Sequence, residues 1–220
     1  MLVNPVRLIK DRMGHPLEAF LEIEVRDANG KLLTFRKTKA KSLLAQFLGL
    51  VKGQLATAFG STAYAGNSPV LDTSGATRYY PSTYSSTSTV FLMAANSGQG
   101  DSSYGLVVGS SDAPNTVNQY AMGALIPNGT GANQLSYGTH TIENIQNPPG
   151  TNYWMFRFIR TFTNNSTSSV TVKEIGLIVL TSDSSNNNRY FLIARDVISP
   201  VTVPSGATLT IRYIFKVTVS

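Results

Sequence analysis

Thr208-Leu-Thr-Ile-Arg-Tyr-Ile-Phe-Lys-Val-Thr-Val-Ser220 is the stretch that decides the fold. Leu209, Ile211, Tyr213, Phe215, Val217 and Val219 are apolar and take every second place, with Thr210, Arg212, Ile214, Lys216 and Thr218 between them. Only a two-residue repeat explains that alternation, so the stretch is a β-strand with one face in a core. Burying each such side chain is worth ~1.5–3 kcal/mol, so the face contributes on the order of 10 kcal/mol as an upper value. Upstream, Val201-Thr-Val203 runs into Pro204-Ser-Gly206-Ala207. Proline fixes φ there and glycine admits a positive φ, which reads as strand, tight turn, strand.

Three further strands lead into this pair. Tyr153 to Thr163 puts Trp154, Phe156, Phe158 and Phe162 on one side, and the polar run Asn164 to Ser169 ends it. The expected place of Trp154 is therefore the core. Val170 to Leu180 starts with Val170 and Val172 in phase, then shifts to Ile175, Leu177 and Val179, which predicts a β-bulge near Lys173-Glu174-Ile175-Gly176. Arg189 to Ile198 is the third. Near the other end, Leu17, Ala19, Leu21, Ile23 and Val25 alternate with Glu18, Glu22, Glu24 and Arg26, and only Phe20 breaks the rule. Asp27-Ala-Asn-Gly30 carries the Asn-Gly hairpin signal, with Leu33 and Phe35 on the returning strand.

After that the period changes. Ala40, Leu43, Leu44, Phe47, Leu48, Val51 and Leu55 recur at three- and four-residue intervals, which predicts one amphipathic helix from Thr38 to about Leu55, with Thr38 or Ser42 as its cap. Such a helix covers an end or face of a sandwich, or docks a neighbouring subunit. The expected fold is mainly β: an antiparallel, jelly-roll-like β-sandwich with one amphipathic helix near the N-terminus. All 220 residues are read as a single domain, with a hairpin and helix over 1–55, a loop-rich interaction region over 56–152 and core strands over 153–220.

Composition narrows the function. Cysteine is absent, which excludes disulfides, thiolate chemistry and cysteine-held zinc. Charged residues are 14% of the chain, their usual place taken by Ser, Thr, Asn and Gly, a surface more typical of virion and extracellular β proteins. Yet no basic segment followed by a long apolar run opens the sequence, and no apolar run approaches the ~18 residues of a membrane helix. Synthesis in the host cytoplasm, release in a virion and no membrane span are the expectation that reconciles these. The net charge of +6 is spread out; only Arg36-Lys37-Thr38-Lys39-Ala40-Lys41 is dense, and it reads as a solvated turn and first helical turn, with contact to an acidic partner surface or to nucleic acid inside a particle as the alternative. Nucleic acid is not the expected partner.

From Ala56 to Asn152 only Asp72, Arg78, Asp101, Asp112, Glu143 and His140 are ionisable acids or bases. Short strands are expected at Thr89 to Ala94, Gly105 to Gly109 and Tyr137 to Ile142, separated by long loops of the kind that are functional or ordered by partners. Tyr64, Tyr79, Tyr80, Tyr84, Tyr104, Tyr120 and Tyr137 punctuate this region. Rigid amphipathic rings among small polar residues make adaptable contact surfaces, so these tyrosines are the candidate interaction surface.

No catalytic, cofactor or metal site is expected. Gly100-Asp101-Ser102-Ser103 looks like an esterase block with His140 as base, but it lacks the strand-to-helix turn that exposes a nucleophile. His15 and His140 have no ligand at metal spacing around them. Asp112, Asp183 and Asn186-Asn187-Asn188 offer oxygens for calcium without the alternating acidic loop such a site needs. Asn128-Gly-Thr130, Asn164-Asn-Ser166 and Asn165-Ser-Thr167 are glycosylation sequons, meaningful only in a glycosylating compartment.

Several stretches in order resemble a loosely defined group of tailed-phage and thermophile-virus structural proteins. They are Val25-Arg-Asp-Ala-Asn-Gly30, Lys41-Ser-Leu-Leu-Ala-Gln-Phe47-Leu48, Gly105-Leu-Val-Val-Gly109 with Ser111-Asp112 and Tyr120, Phe162-Thr-Asn-Asn165, Val172-Lys-Glu-Ile-Gly-Leu177, and Leu192-Ile-Ala-Arg-Asp196 leading into Val201-Thr-Val-Pro-Ser-Gly206. The resemblance implies a non-enzymatic virion component, in the capsid, on it as decoration, or in the tail. Its partners would be copies of itself and other virion proteins. The alternative reading is a carbohydrate-binding or host-attachment module in which Trp154 or loop tyrosines stack on sugar rings of a host-surface glycan.

Overall fold

In a computed structural model, residues 17–55, 68–80, 93–183, 185 and 187–218 are described. In chain order the elements are β1 (Leu17–Arg26), β2 (Leu32–Lys39), α1 (Ala45–Leu55), β3 (Ser68–Leu71), β4 (Thr77–Tyr80), β5 (Gly105–Gly109), β6 (Ser136–Tyr137), β7 (Thr141–Ile142), β8 (Tyr153–Thr163), β9 (Val170–Ser182), β10 (Asn188–Val203) and β11 (Thr208–Thr218). The deciding stretch is indeed a strand, and it lies inside the larger sheet, whose order is β2-β1-β11-β8-β6 with β7 also on β8. β11 pairs antiparallel with β1 from Val217–Leu17 to Thr208–Arg26, and with β8 from Thr218–Tyr153 to Thr208–Thr163. A smaller antiparallel sheet has the order β10-β9-β5.

The inner face of β11 alternates as its sequence predicts: Leu209, Ile211 and Tyr213 are fully buried, beside Leu21, Ile23 and Val25 of β1. They join Val170, Val172, Ile175, Leu177 and Val179 of β9 in one hydrophobic cluster, so the two sheets pack face to face as a β-sandwich. Polar bonds also cross between the sheets. The Tyr213 hydroxyl donates to Asp196 Oδ2 at 3.1 Å, and Arg36 donates to the carbonyls of Ser199 and Pro200 at 3.0 and 3.2 Å.

Three expectations change. The helix starts at Ala45 rather than Thr38, and neither Thr38 nor Ser42 caps it. Thr38 and Lys39 pair with Leu21 and Phe20, the Ala40 N–H donates to Ala19, and Leu44 N–H and Ser42 C=O bond to Ile193 and Arg195. Sheet hydrogen bonds thus claim the backbone that helical spacing had assigned to two turns. It follows that Arg36 to Lys39 lie on an edge strand, not in a turn: Lys37 reaches Glu22 at 2.9 Å and Lys39 reaches Glu18 at 2.8 Å across the β1–β2 pair. Exposed pairs of this kind contribute less than ~1 kcal/mol each.

The expected strands at 189–198 and 201–203 are one strand, β10, and the bulge lies mainly on it. Its register with β9 breaks at Ile193 and across Ile198 to Pro200, the latter opposite Lys173. The apparent phase change in β9 has a second cause, since Glu174 to Val179 is buried on both faces and alternation disappears there. Tyr137 to Ile142 forms two short strands, β6 and β7, both on β8. Of Thr89 to Ala94 only the last two residues are described, and Ala94 bridges Leu180.

Trp154 is the third change. On the inner face of the large sheet, exposure is nil at the Val25–Leu209–Phe162 end and rises to 57% at Leu17, 39% at Val217 and 51% at Trp154 at the other. These three are neighbours across adjacent strands. The apolar face extends beyond the part the smaller sheet covers.

Candidate functional site

Two buried arginines fix the loops that carry the expected interaction surface. Arg160 sits on β8 in phase with Phe158 and Phe162, so its side chain enters the core, where it is 1% exposed. Its guanidinium donates to the carbonyls of Gly138, Tyr104, Leu106, Gly98 and Asp101 at 2.5 to 3.2 Å, with its carbon 4.8 Å from the Tyr137 ring centre. A buried cation is tolerated because its N–H groups are met by carbonyl oxygens on every side. Arg195 on β10 pairs with Glu174 on β9 at 2.6 Å, both within the core, and also bonds Asn115 Oδ1 and the Ala113 carbonyl. Glu174 in turn accepts from the N–H groups of Gly123 and Ala124. The 110–124 loop is thereby tied to the smaller sheet.

The candidate tyrosines do not form one surface. Tyr137 is a core residue: it is 1% exposed, its hydroxyl donates to the Ile126 carbonyl at 2.6 Å, and burial pushes its pKa up. Tyr104 packs against the core, its ring 6.2 Å from that of Tyr190. Tyr79 and Tyr120 are exposed, on β4 and over Gly75 respectively. Tyr80 lies on β4 with its side chain outside the described residues, as are Tyr64 and Tyr84 altogether.

His140 is 3% exposed and stacks on Phe158 with ring centres 5.7 Å apart. Burial lowers its pKa to about 4. Among the described residues neither ring nitrogen has a hydrogen-bond partner of good geometry, nor does the buried hydroxyl of Ser97, the residue whose backbone carbonyl accepts from the His140 N–H. In the esterase-like block, Asp101 Oδ1 accepts from the N–H and hydroxyl of Ser103, so its carboxylate orders a turn. His15 lies outside the described residues.

The candidate calcium oxygens have structural employment. Asp183 accepts from the N–H groups of Ser185 and Asn187 through one oxygen and from Arg189 through the other. Burial alone would raise its pKa, but these bonds outweigh it and the pKa falls. Asp72 repeats the arrangement with Ser74, Ala76 and Arg78, and Asp27 repeats its first half with Asn29 and Lys31. Three hairpins are closed by the same device. Asp112 is exposed and pairs with Lys173. Among the described residues no group of three acids or histidines could hold a metal, and no helix is long and apolar enough to cross a membrane. Of the sequon asparagines, Asn164 is buried and its amide donates to Ser168 and Val203 carbonyls, locking the β8–β9 turn to β10.

Two open features remain as candidate sites. One is the row Leu17–Val217–Trp154, which continues inward as Ala19–Phe215–Phe156. The other is a cleft where β2 and β10 part, rimmed by Arg36 and Lys41. The row was hidden by its own signal, since a tryptophan in phase with phenylalanines reads as core. Arg160, by contrast, was detectable as a charge in phase with Phe158 and Phe162. No protein family, curated protein or solved structure matches the chain.

Proposed function

We propose that the chain is a non-enzymatic structural protein of a virus particle, a capsid, capsid-decoration or tail component of a tailed phage or thermophile virus. It works as a rigid β brick whose open surfaces are buried against copies of itself and other virion proteins. The observation that carries this reading is the Leu17–Val217–Trp154 row, three large apolar side chains side by side in water. About half of each is already covered, so covering the rest returns roughly half of the ~1.5–3 kcal/mol of full burial, which favours a partner over a solitary existence. Leu32, Leu33 and Phe35, exposed on β2 at the opposite end of the sheet, are a second apolar area. The loops held by Arg160 and Arg195 suit a surface that must present one shape repeatedly. The low charge content and the stretches resembling virion proteins supply the particle as the setting.

Sedimentation and electron microscopy of the purified chain test this. Rings or a repeating lattice are expected, and Trp154→Ser should raise the concentration needed for assembly by about tenfold while leaving the monomer fold intact. A stable monomer without particle association refutes it.

The exposure of Trp154 also favours a second reading, a host-attachment module in which its ring stacks on a glycan. Specific binding on a glycan array, lost in Trp154→Ala with the oligomeric state unchanged, selects that reading. Loss on changing Tyr79 instead would place the glycan on β4.

A further inference from the structure

Between β2 and β10 the sheets part into a cleft of about 630 Å3. Its accessible floor is aliphatic, formed by Val197 and Ile198 of β10, with the buried Leu21 and Ile23 of β1 beneath. Whereas Lys37 and Lys39 have glutamate partners, the side chains of Arg36 and Lys41 form no ion pair with a carboxylate among the described residues. The one acid lining the cleft, Asp196, is buried and already accepts from the Lys41 N–H and the Tyr213 hydroxyl. Burial raises its pKa in spite of those bonds and the Lys41 charge. The mouth is therefore cationic over an apolar floor.

Among the described residues β2 is also the last strand of the large sheet, so alternate N–H and C=O groups along it point away from β1. An edge with side-chain pockets beside it is the arrangement that receives an added strand. No aromatic ring is among the described residues lining the cleft, so nucleobases would find nothing to stack on. We infer that this cleft takes an extended acidic polypeptide segment of a neighbouring chain, paired with the β2 edge, its aliphatic side chains on the floor and its carboxylates on Arg36 and Lys41. The inference rests on the assembly reading and gives the partner a chemistry.

Fluorescence polarisation with the full chain tests it, using labelled peptides that alternate valine with glutamate or valine with lysine, and a short single-stranded oligonucleotide. The glutamate peptide should bind about tenfold more tightly than the lysine peptide, and less tightly as salt is raised. The double variant Arg36→Ala/Lys41→Ala should lose about tenfold in affinity. Thr38→Glu, which puts an acid in the cleft and keeps the Arg36 bridge to β10, should lose as much, while Lys52→Ala on α1 changes nothing. Equal binding of the two peptides, tighter binding of the oligonucleotide, or undiminished binding in both cleft variants overturns the inference. A wild-type chain that forms rings or lattices yet binds no acidic peptide overturns this inference alone. A monomer that still binds the acidic peptide overturns the assembly reading instead.

Discussion

Replacing His140 with glutamine should flatten the acid limb of the stability curve. Burial lowers the pKa of His140 from 6.5 to about 4 in the folded protein, so as pH falls the unfolded chain takes up the proton first. The native state then loses stability from about pH 6.5 down to about pH 4, and this loss levels off below that. At ~1.4 kcal/mol per pH unit, it amounts to about 2 kcal/mol at pH 5 and about 3 kcal/mol at pH 4. The side chain is 3% exposed, so solvent screening removes little of this. The groups around it act both ways: Phe158 covers one face of the ring and the Arg160 guanidinium disfavours a second positive charge, while the Ala95 backbone favours the proton but is outweighed by burial. Asp72 and Asp183 also lose stabilising bonds in acid, and Asp196, raised by burial, acts in the opposite direction, but all three are common to both proteins. Urea unfolding followed by circular dichroism, at steps between pH 7 and pH 4, yields the difference between wild type and His140→Gln. The wild type should lose about 2 kcal/mol more than the variant between pH 7 and pH 5. Parallel curves would show that His140 is solvated or paired in solution and would refute the reasoning.

Arg160→Leu removes a buried guanidinium that donates to five carbonyls and should cost about 3–5 kcal/mol in urea unfolding, with loops 98–106 and 138–140 gaining hydrogen exchange before the sheets do. Gly49→Ala should cost about 1–3 kcal/mol in thermal unfolding, because a Cβ there would lie 2.4 Å from Val70 Cγ1 and push α1 off β3.

What could be read in advance divides along physical lines. Where one face meets a core and the other meets water, as on β1 and β11, a two-residue alternation specifies both the strand and its inward face. Where a strand is buried on both faces, as β9 is around Glu174 to Val179, the pattern carries no phase and the bulge shifts onto its partner. Helical spacing over Ala40 to Leu44 was real but lost to hydrogen bonds with β1 and β10, which join residues too far apart in the chain for any local pattern to reveal. The candidate surface was least legible for the same reason. Tyr137 and Trp154 exchange their expected places because exposure depends on how far the opposite sheet extends. The three aspartate-closed hairpins, in contrast, repeat at fixed spacing in the sequence: an acid, with its acceptor bonds two and four residues on.

The pairing of β1 with β11 along its whole length has a consequence for how the protein is made. A ribosome delivers Leu17 to Arg26 long before Thr208 to Thr218, and until the later strand emerges the earlier hairpin has water on the side where its neighbour belongs. The smaller sheet meets the same delay, since the cluster it shares needs Ile211 and Tyr213. Closure of the sandwich therefore has to wait for β11 to emerge, and it closes a very long loop slowly. Nascent chains must be kept apart meanwhile, because the unfilled slot beside β1 fits the β11 of a sister molecule as well as its own.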